Sequence, residues 1–338
     1  MIFITVVASL VASLVLVGLA RLVARRSGLV DIPNARSSHF APTPRGGGIA
    51  IVVVALAAAL IDLILHQDRT AWNCAMVWIF AGGLIAVTGA MDDIRGLSVR
   101  SRIIAHFAAA AFLLAVCGGL PLLPVPNGQI DLGVMGWLLG GAAIVWSINL
   151  FNFMDGIDGL AAAQAIFVFG SAVSLLAYSD ALTNSDVPLV AIAAAAGGFL
   201  VWNIPPAKIF MGDVGSGFLG FAVAAGAVLT AGRGRMSLWT WLVLNGSFLT
   251  DATTTLVTRL LSGQRGYEAH RSHAYQRLAR KWKSHITVVA IYAAINLAWC
   301  LPWAVATLRF PGAGPYITIA VLVPLGLLAI AAGAGRSE

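Results

Sequence analysis

MVWIFAGGLIAVTGAMDDIRG, Met76–Gly96, runs apolar for most of its length and then stops on two adjacent carboxylates, Asp92 and Asp93. With the residues just before it, the run is long enough for a helix to cross a hydrocarbon core, which takes about 20 apolar residues. Adjacent aspartates repel each other and gain nothing by packing. Arg95, Arg100 and Arg102 follow at once. Something positive is therefore expected at that end of the helix.

Working outward, apolar runs of similar length fall at about 2–24, 46–65, 72–90, 103–118, 133–150, 160–179, 187–202, 214–231, 238–261, 286–308 and 316–334. Of the 338 residues, 59% are hydrophobic and only 10% charged, against about 25% in a soluble domain. The expected fold is all-α, a polytopic membrane bundle of about eleven spans forming one domain over residues 1–338. No polar stretch is long enough to hold a separate soluble domain. The first run has no basic segment before it, and Arg21, Arg25 and Arg26 come after it, so it reads as a retained helix. Of 21 Lys and Arg residues, 17 follow odd-numbered runs and four the others. The positive-inside rule then puts the N-terminus outside and the C-terminus in the cytoplasm. A sequence pI near 9.8 is thus a topology signal, and nucleic acid is not an expected partner. Cys74, Cys117 and Cys300 are scattered without a CxxC pair, which suits packing residues better than a disulfide or metal framework.

On this topology Asp92, Asp93, Asp155, Asp158 and Asp213 all fall at cytoplasmic edges, from three segments. Active-site loops are expected at about 25–45, 91–102, 151–159, 203–217 and 262–285. In NLFNFMDGIDGLAA, Asn149–Ala162, Asp155 and Asp158 are three apart and share a face of any helix starting there. Capping would explain one of them. It does not explain Asn149, Asn152, Asp155 and Asp158 together at the end of an apolar run, where each polar group is costly. In WNIPPAKIFMGDVGSGFLG, Trp202–Gly220, glycine-rich backbone opens a helix just after Asp213. Such N–H groups suit a phosphate, and a cation between that phosphate and Asp213 would remove their repulsion. The stretch DIPNARSSHFAPTPRGGG, Asp31–Gly48, adds Arg36, His39 and Arg45 as a basic edge. In the last cytoplasmic loop, His270, Arg271 and His273 offer donors for phosphate oxygens. The Arg277–Lys283 cluster beyond them reads as topogenic or headgroup-facing. Asp251 is an isolated intramembrane carboxylate expected to face the bundle interior, with Arg259 on the same helix face.

Taken together, PNARSSHFAPTPRGGG, MDDIRG, NFMDGIDGL, NIPPAKIFMGDVGS and HRSHAYQRL resemble the polyprenyl-phosphate N-acetylhexosamine-1-phosphate transferases over about residues 28–285. The wording of ARSSH and HRSHAYQRL is most similar to the O-antigen-initiating branch. The resemblance implies a bacterial inner-membrane enzyme, its site facing the cytoplasm, that starts cell-envelope polysaccharide synthesis. It would transfer an N-acetylhexosamine 1-phosphate from a UDP-sugar (UDP-GlcNAc or a 6-deoxy relative such as UDP-FucNAc or UDP-QuiNAc) to undecaprenyl phosphate, releasing UMP. Mg2+, with Mn2+ as a substitute, is the implied cofactor, and the family leaves room for a homodimer. Asp213 is then the leading metal ligand. Asp92 helps with the metal and positions or deprotonates the lipid phosphate, or attacks covalently; Asp93 assists metal or orientation. Asn152, Asp155 and Asp158 would hold the nucleotide and Asn203 the metal region, while His270, Arg271 and His273 meet phosphate or sugar. Arg45, Arg95 and Lys208 are the candidate phosphate and lipid contacts. The family often carries a lysine just after the aspartate pair; in this chain the nearest cation is Arg95. Alternatives are a phospho-MurNAc-pentapeptide transferase, a CDP-alcohol phosphotransferase and a secondary transporter. The last would more often place charges at the bilayer midplane on repeated halves.

Overall fold

A computed structural model describes residues 2–33, 41–264 and 271–336. Its helices in chain order are α1 (Ile2–Ser27), α2 (Ile49–His66), α3 (Arg69–Met76), α4 (Gly83–Arg95), α5 (Val99–Cys117), α6 (Gly133–Met154), α7 (Leu160–Tyr178) and α8 (Val187–Asn203). There follow α9 (Asp213–Ala231), α10 (Leu238–Leu244), α11 (Gly246–Leu261), α12 (Ala274–Trp282), α13 (His285–Ile295), α14 (Leu301–Arg309) and α15 (Gly314–Ala331). A π-helical turn, Val77–Gly82, joins α3 and α4 into one rod, and Asn296–Cys300 does the same for α13 and α14. Among the described residues, ten helices are long and apolar enough to cross a membrane. The protein is a polytopic helical membrane protein. The apolar run at 238–261 is interrupted at Asn245, so it forms two consecutive helices, α10 and α11, where one continuous helix was expected.

Among the described residues, strand is confined to two short ribbons. β1 (Val30–Asp31) pairs antiparallel with β2 (Thr43–Pro44), and β3 (Leu123–Val125) with β4 (Gly128–Ile130).

The helix that organises the bundle is α9, whose apolar window is 94% buried. Its sequence, DVGSGFLGFAVAAGAVLTA, explains why: small residues let neighbouring backbones come close. A Cβ on Gly220 would sit 2.3 Å from the Ser147 carbonyl oxygen of α6. At the other end, a Cβ on Gly89 of α4 would sit 2.4 Å from the Asp213 carbonyl oxygen. One on Gly48, just before α2, would meet Gly215 Cα at 2.4 Å. Glycine is needed at these crossings because any side chain would force the elements apart. The segment leading into α9 is stitched to the start of α2 by backbone bonds. Phe210 N–H donates to Pro44 O, Gly47 N–H to Phe210 O and Gly48 N–H to Met211 O, at 2.8–2.9 Å. Thus the start of α9, the end of α4 and the entrance to α2 are locked together before any polar chemistry is considered.

Candidate active site

At that junction Asp93 is 5% exposed and caps α9. Its Oδ1 accepts the Asp213 N–H and its Oδ2 the Val214 N–H, both at 3.1 Å. A carboxylate on free amides at a helix start is favoured by hydrogen bonding and by the helix dipole. This corrects one expectation: the amides at this helix start are not open to a phosphate, because Asp93 takes those of Asp213 and Val214, and Gly212 O accepts those of Gly215 and Ser216. The cap fixes the direction of Asp213, whose Oδ1 accepts from Asn152 Nδ2 at 2.7 Å. The same amide reaches Ser216 Oγ at 3.1 Å. The end of α6 and the start of α9 therefore share one hydrogen-bonded corner.

Asp92 points elsewhere. Its Oδ1 accepts the Leu97 N–H at 2.6 Å, and its Oδ2 accepts from Arg102 Nη1 at 2.8 Å. The same guanidinium nitrogen lies 3.8 Å from Asp213 Oδ2. The Asp92 and Asp213 carboxyl groups are themselves within hydrogen-bonding reach of each other. Two carboxylates this close call for a shared proton or a cation. Arg102 is the cation that reaches both carboxylates among the described residues; Arg95, the cation nearest to the pair in the sequence, is exposed. The reason is the chain reversal at Gly96 (φ 68°), which folds the first turns of α5 back over the end of α4. Ten residues separate Arg102 from Asp92, so spacing along the chain does not show that the two meet. Further along α5, His106 Nδ1 lies 3.3 Å from Asn149 Nδ2 and extends this polar seam; sequence reading gave no signal for it.

Asp155 lies just past α6 and faces the same cluster. Burial, together with the charges of Asp213, Asp93 and Asp158, raises its carboxyl well above the usual range. Arg45 reaches in from the entrance to α2 and donates from Nη2 to the Asp93 carbonyl oxygen. So Asp92, Asp93, Asp155, Asp213, Asn152, Arg45 and Arg102 meet at one end of the bundle.

Other expected site residues are engaged differently. Asp158 accepts the Ala207 N–H at 3.1 Å and sits 3.4 Å from His285 Nδ1, bracing the 155–159 loop against the one after α8. Asn203 bridges those same loops, accepting from Gly159 N–H at 2.8 Å and donating to Ile209 O at 2.9 Å. Lys208 is not with the carboxylates: its ammonium lies 5.8 Å from the Trp202 ring, which Arg21 also approaches at 5.7 Å. His273 is 3% exposed and turned inward, with Nδ1 3.5 Å from Asp251 Oδ1 and its ring near Phe153 and Tyr275. Arg271 is partly buried just before α12, and its carbonyl oxygen accepts from Arg280 Nη2 at 2.9 Å. His270, like Arg36 and His39, lies outside the described residues.

Among the described residues, no three His, Cys, Asp or Glu side chains form a ready-made metal cage. Mg2+ does not require one, since it usually binds through one or two carboxylates plus water and substrate phosphate. The abutting Asp92 and Asp213 carboxylates fit that mode.

The segment holding these carboxylates coincides with a known family. Residues 75–231 match the model of glycosyl transferase family 4. A Bacillus subtilis protein named as a probable undecaprenyl-phosphate N-acetylglucosaminyl 1-phosphate transferase is 30% identical over 292 residues, covering 85% of this chain and 80% of that one. The chain belongs to glycosyl transferase family 4. A decaprenyl-phosphate N-acetylglucosaminephosphotransferase of Mycolicibacterium smegmatis is 31% identical over 317 residues, covering 83% of this chain and 76% of that protein. An undecaprenyl-phosphate alpha-N-acetylglucosaminyl 1-phosphate transferase of Escherichia coli is 29% identical over 273 residues, covering 77% of this chain and 72% of the other. As a family 4 member the protein is an enzyme, a sugar-phosphate transferase embedded in a membrane, as the sequence motifs implied.

Proposed function

We propose that this family 4 enzyme transfers N-acetylhexosamine 1-phosphate, with GlcNAc as the leading sugar, from a UDP-sugar to undecaprenyl phosphate and releases UMP. The reading rests above all on one observation: Asp92, Asp93, Asp155 and Asp213 converge from three segments at one end of an apolar bundle. An acceptor with a greasy tail and a donor dissolved in water can meet only at a membrane boundary, so a polar cluster at the end of apolar helices suits both. The excess of Lys and Arg on the same side supports a cytoplasmic location in the bacterial inner membrane. The HRSHAYQRL segment favours the branch that starts O-antigen synthesis.

In this reaction an oxygen of the lipid phosphate attacks the sugar-bearing phosphorus of the UDP-sugar. The bond from that phosphorus to the bridging oxygen breaks, and UMP leaves with the electron pair. Such transfers depend mostly on positioning and charge neutralisation. Mg2+, held by Asp213 and Asp92, would neutralise the diphosphate oxygens and the departing UMP. Arg102 keeps the Asp92 carboxylate in place, and both Asp92 oxygens already accept hydrogen bonds. That lowers their nucleophilicity, which favours direct attack by the lipid phosphate over a covalent aspartyl intermediate. Asn152 holds Asp213 in register, Asp155 faces the donor, and Arg45 offers a positive edge to the incoming lipid phosphate.

Membranes containing the protein, given undecaprenyl phosphate and a panel of radiolabelled UDP-sugars, test the reading directly. Expected are a lipid-extractable sugar product, release of UMP and loss of both in Asp213→Ala. Release of CMP from a CDP-alcohol, or substrate counterflow without lipid product, would replace this reading with one of its rivals.

A further inference from the structure

Asp251 lies in α11, outside the carboxylate cluster, and is 1% exposed. A charge buried at that depth is expensive unless several groups hold it. Its Oδ1 accepts the Ala274 N–H at 2.9 Å and its Oδ2 the Tyr275 N–H at 3.0 Å. The Tyr292 hydroxyl of α13 donates to Oδ2 at 2.5 Å. His273 Nδ1 and Thr255 Oγ1 stand 3.5 and 3.3 Å from Oδ1. Asp251 thus caps α12 across 23 residues of sequence, where an ordinary cap comes from the residue just before the helix.

What it holds there reaches the donor loop. Tyr275, fully buried on the first turn of α12, donates its hydroxyl to Phe153 O at 2.9 Å. A Cβ on Gly156 would lie 2.1 Å from that hydroxyl, so Gly156 is glycine because Tyr275 passes over it. Phe153 and Gly156 flank Asp155. Burial and the nearby charges of Asp251 and Asp155 push the Tyr275 phenol well above its usual range, so it stays neutral and keeps donating.

We infer that Asp251 is a positioning residue: through the backbone of α12 and the Tyr275 hydroxyl, it sets the placement of the Asp155 loop that receives the nucleotide sugar. The inference rests on the donor-binding role proposed for Asp155. It assigns to a remote carboxylate a specific effect on one substrate, which a general contribution to folding would not have.

The experiment compares Asp251→Asn, Tyr275→Phe and the double variant as purified full-length proteins. The UDP-sugar KM should rise about tenfold in each single variant, equivalent to ~1.4 kcal/mol, with the KM for undecaprenyl phosphate unchanged. Because both residues act through one connection, the double variant should be no more than about twofold worse than the worse single. Hydrogen exchange of residues 153–159, which needs no substrate, should be faster in both singles. A wild-type UDP-sugar KM with only less folded enzyme would overturn the inference, as would unchanged exchange in Tyr275→Phe. If the wild-type protein used no UDP-sugar at all, the functional reading would fail, and the exchange result would still decide whether Asp251 and Tyr275 position the loop.

Discussion

Replacing Arg102 by glutamine isolates the cation that the structure sets between Asp92 and Asp213. The guanidinium hydrogen-bonds Asp92 at 2.8 Å and stands 3.8 Å from Asp213. A hydrogen bond to a charged group contributes about 1.5–3 kcal/mol. Arg102 is 35% exposed while Asp92 is 9% exposed, so solvent screens one partner and not the other, which favours the lower half of that range. Losing ~1.5–2 kcal/mol from the transition state lowers kcat/KM by a factor of about 10–30. Arg95→Gln is the internal comparison. Arg95 is exposed and should change the rate by no more than about twofold, as surface substitutions usually do. The assay is initial-rate formation of lipid-linked sugar in detergent at fixed acceptor, with Mg2+ titrated. Removing a positive neighbour leaves the carboxylates more attractive to a divalent ion, so half-saturating Mg2+ should not rise in Arg102→Gln. Equal losses in the two variants, or less than a threefold loss in Arg102→Gln, would refute the assignment.

The close glycine crossings should behave unlike open ones. Gly89→Ala drives a methyl into the Asp213 backbone and should cost about 1–3 kcal/mol and most of the activity, whereas Gly83→Ala and Gly141→Ala meet nothing within 4 Å and should be near neutral by thermal unfolding. Lys208→Gln, acting on a residue stacked on Trp202 away from the carboxylates, should alter transfer less than about threefold in the same rate assay, in line with an exposed cation–π contact of roughly 0.5–1 kcal/mol. The raised Asp155 carboxyl gives a pH signature. Its folded-state value exceeds the unfolded one, so it stabilises the fold below the ordinary carboxylate range and loses that contribution as pH rises through the raised value. With divalent ions chelated, the wild-type melting temperature should fall on that upward titration, and Asp155→Asn should flatten the fall; an unchanged slope would remove Asp155 from the buried cluster.

The bundle was legible because apolar run length is read directly against bilayer thickness, and the carboxylates stood out because each is costly at the end of such a run. What each carboxylate does was harder to read. Asp92 and Asp93 look like one feature in the sequence, yet consecutive residues on an α-helix point about 100° apart. That rotation sends Asp93 onto the free amides of α9 and Asp92 toward Arg102, so their mutual repulsion is answered by two separate partners. Similarly, Asp158 and Asn203 have the residue types of a binding site, and their oxygens and amide also hold two loops together, through contacts 49 and 44 residues apart that local spacing does not show. Asp251 is the limiting case, since no local pattern announces that a carboxylate in α11 caps a helix 23 residues later. The broken run at Asn245 has the same origin. Gln164 Nε2 donates to the Asn245 side chain at 3.2 Å, and Asn296 Nδ2 donates to Gln164 Oε1 at 2.6 Å. Polar groups from three apolar runs satisfy one another in the bundle interior beside the break. Hydropathy averages over such residues, so it reports that a segment is greasy enough to cross and misses the interruption that tertiary hydrogen bonds accommodate. In this protein the length of apolar sequence sets how many helices there are, and side-chain partners from distant runs set which polar groups are left to face a substrate.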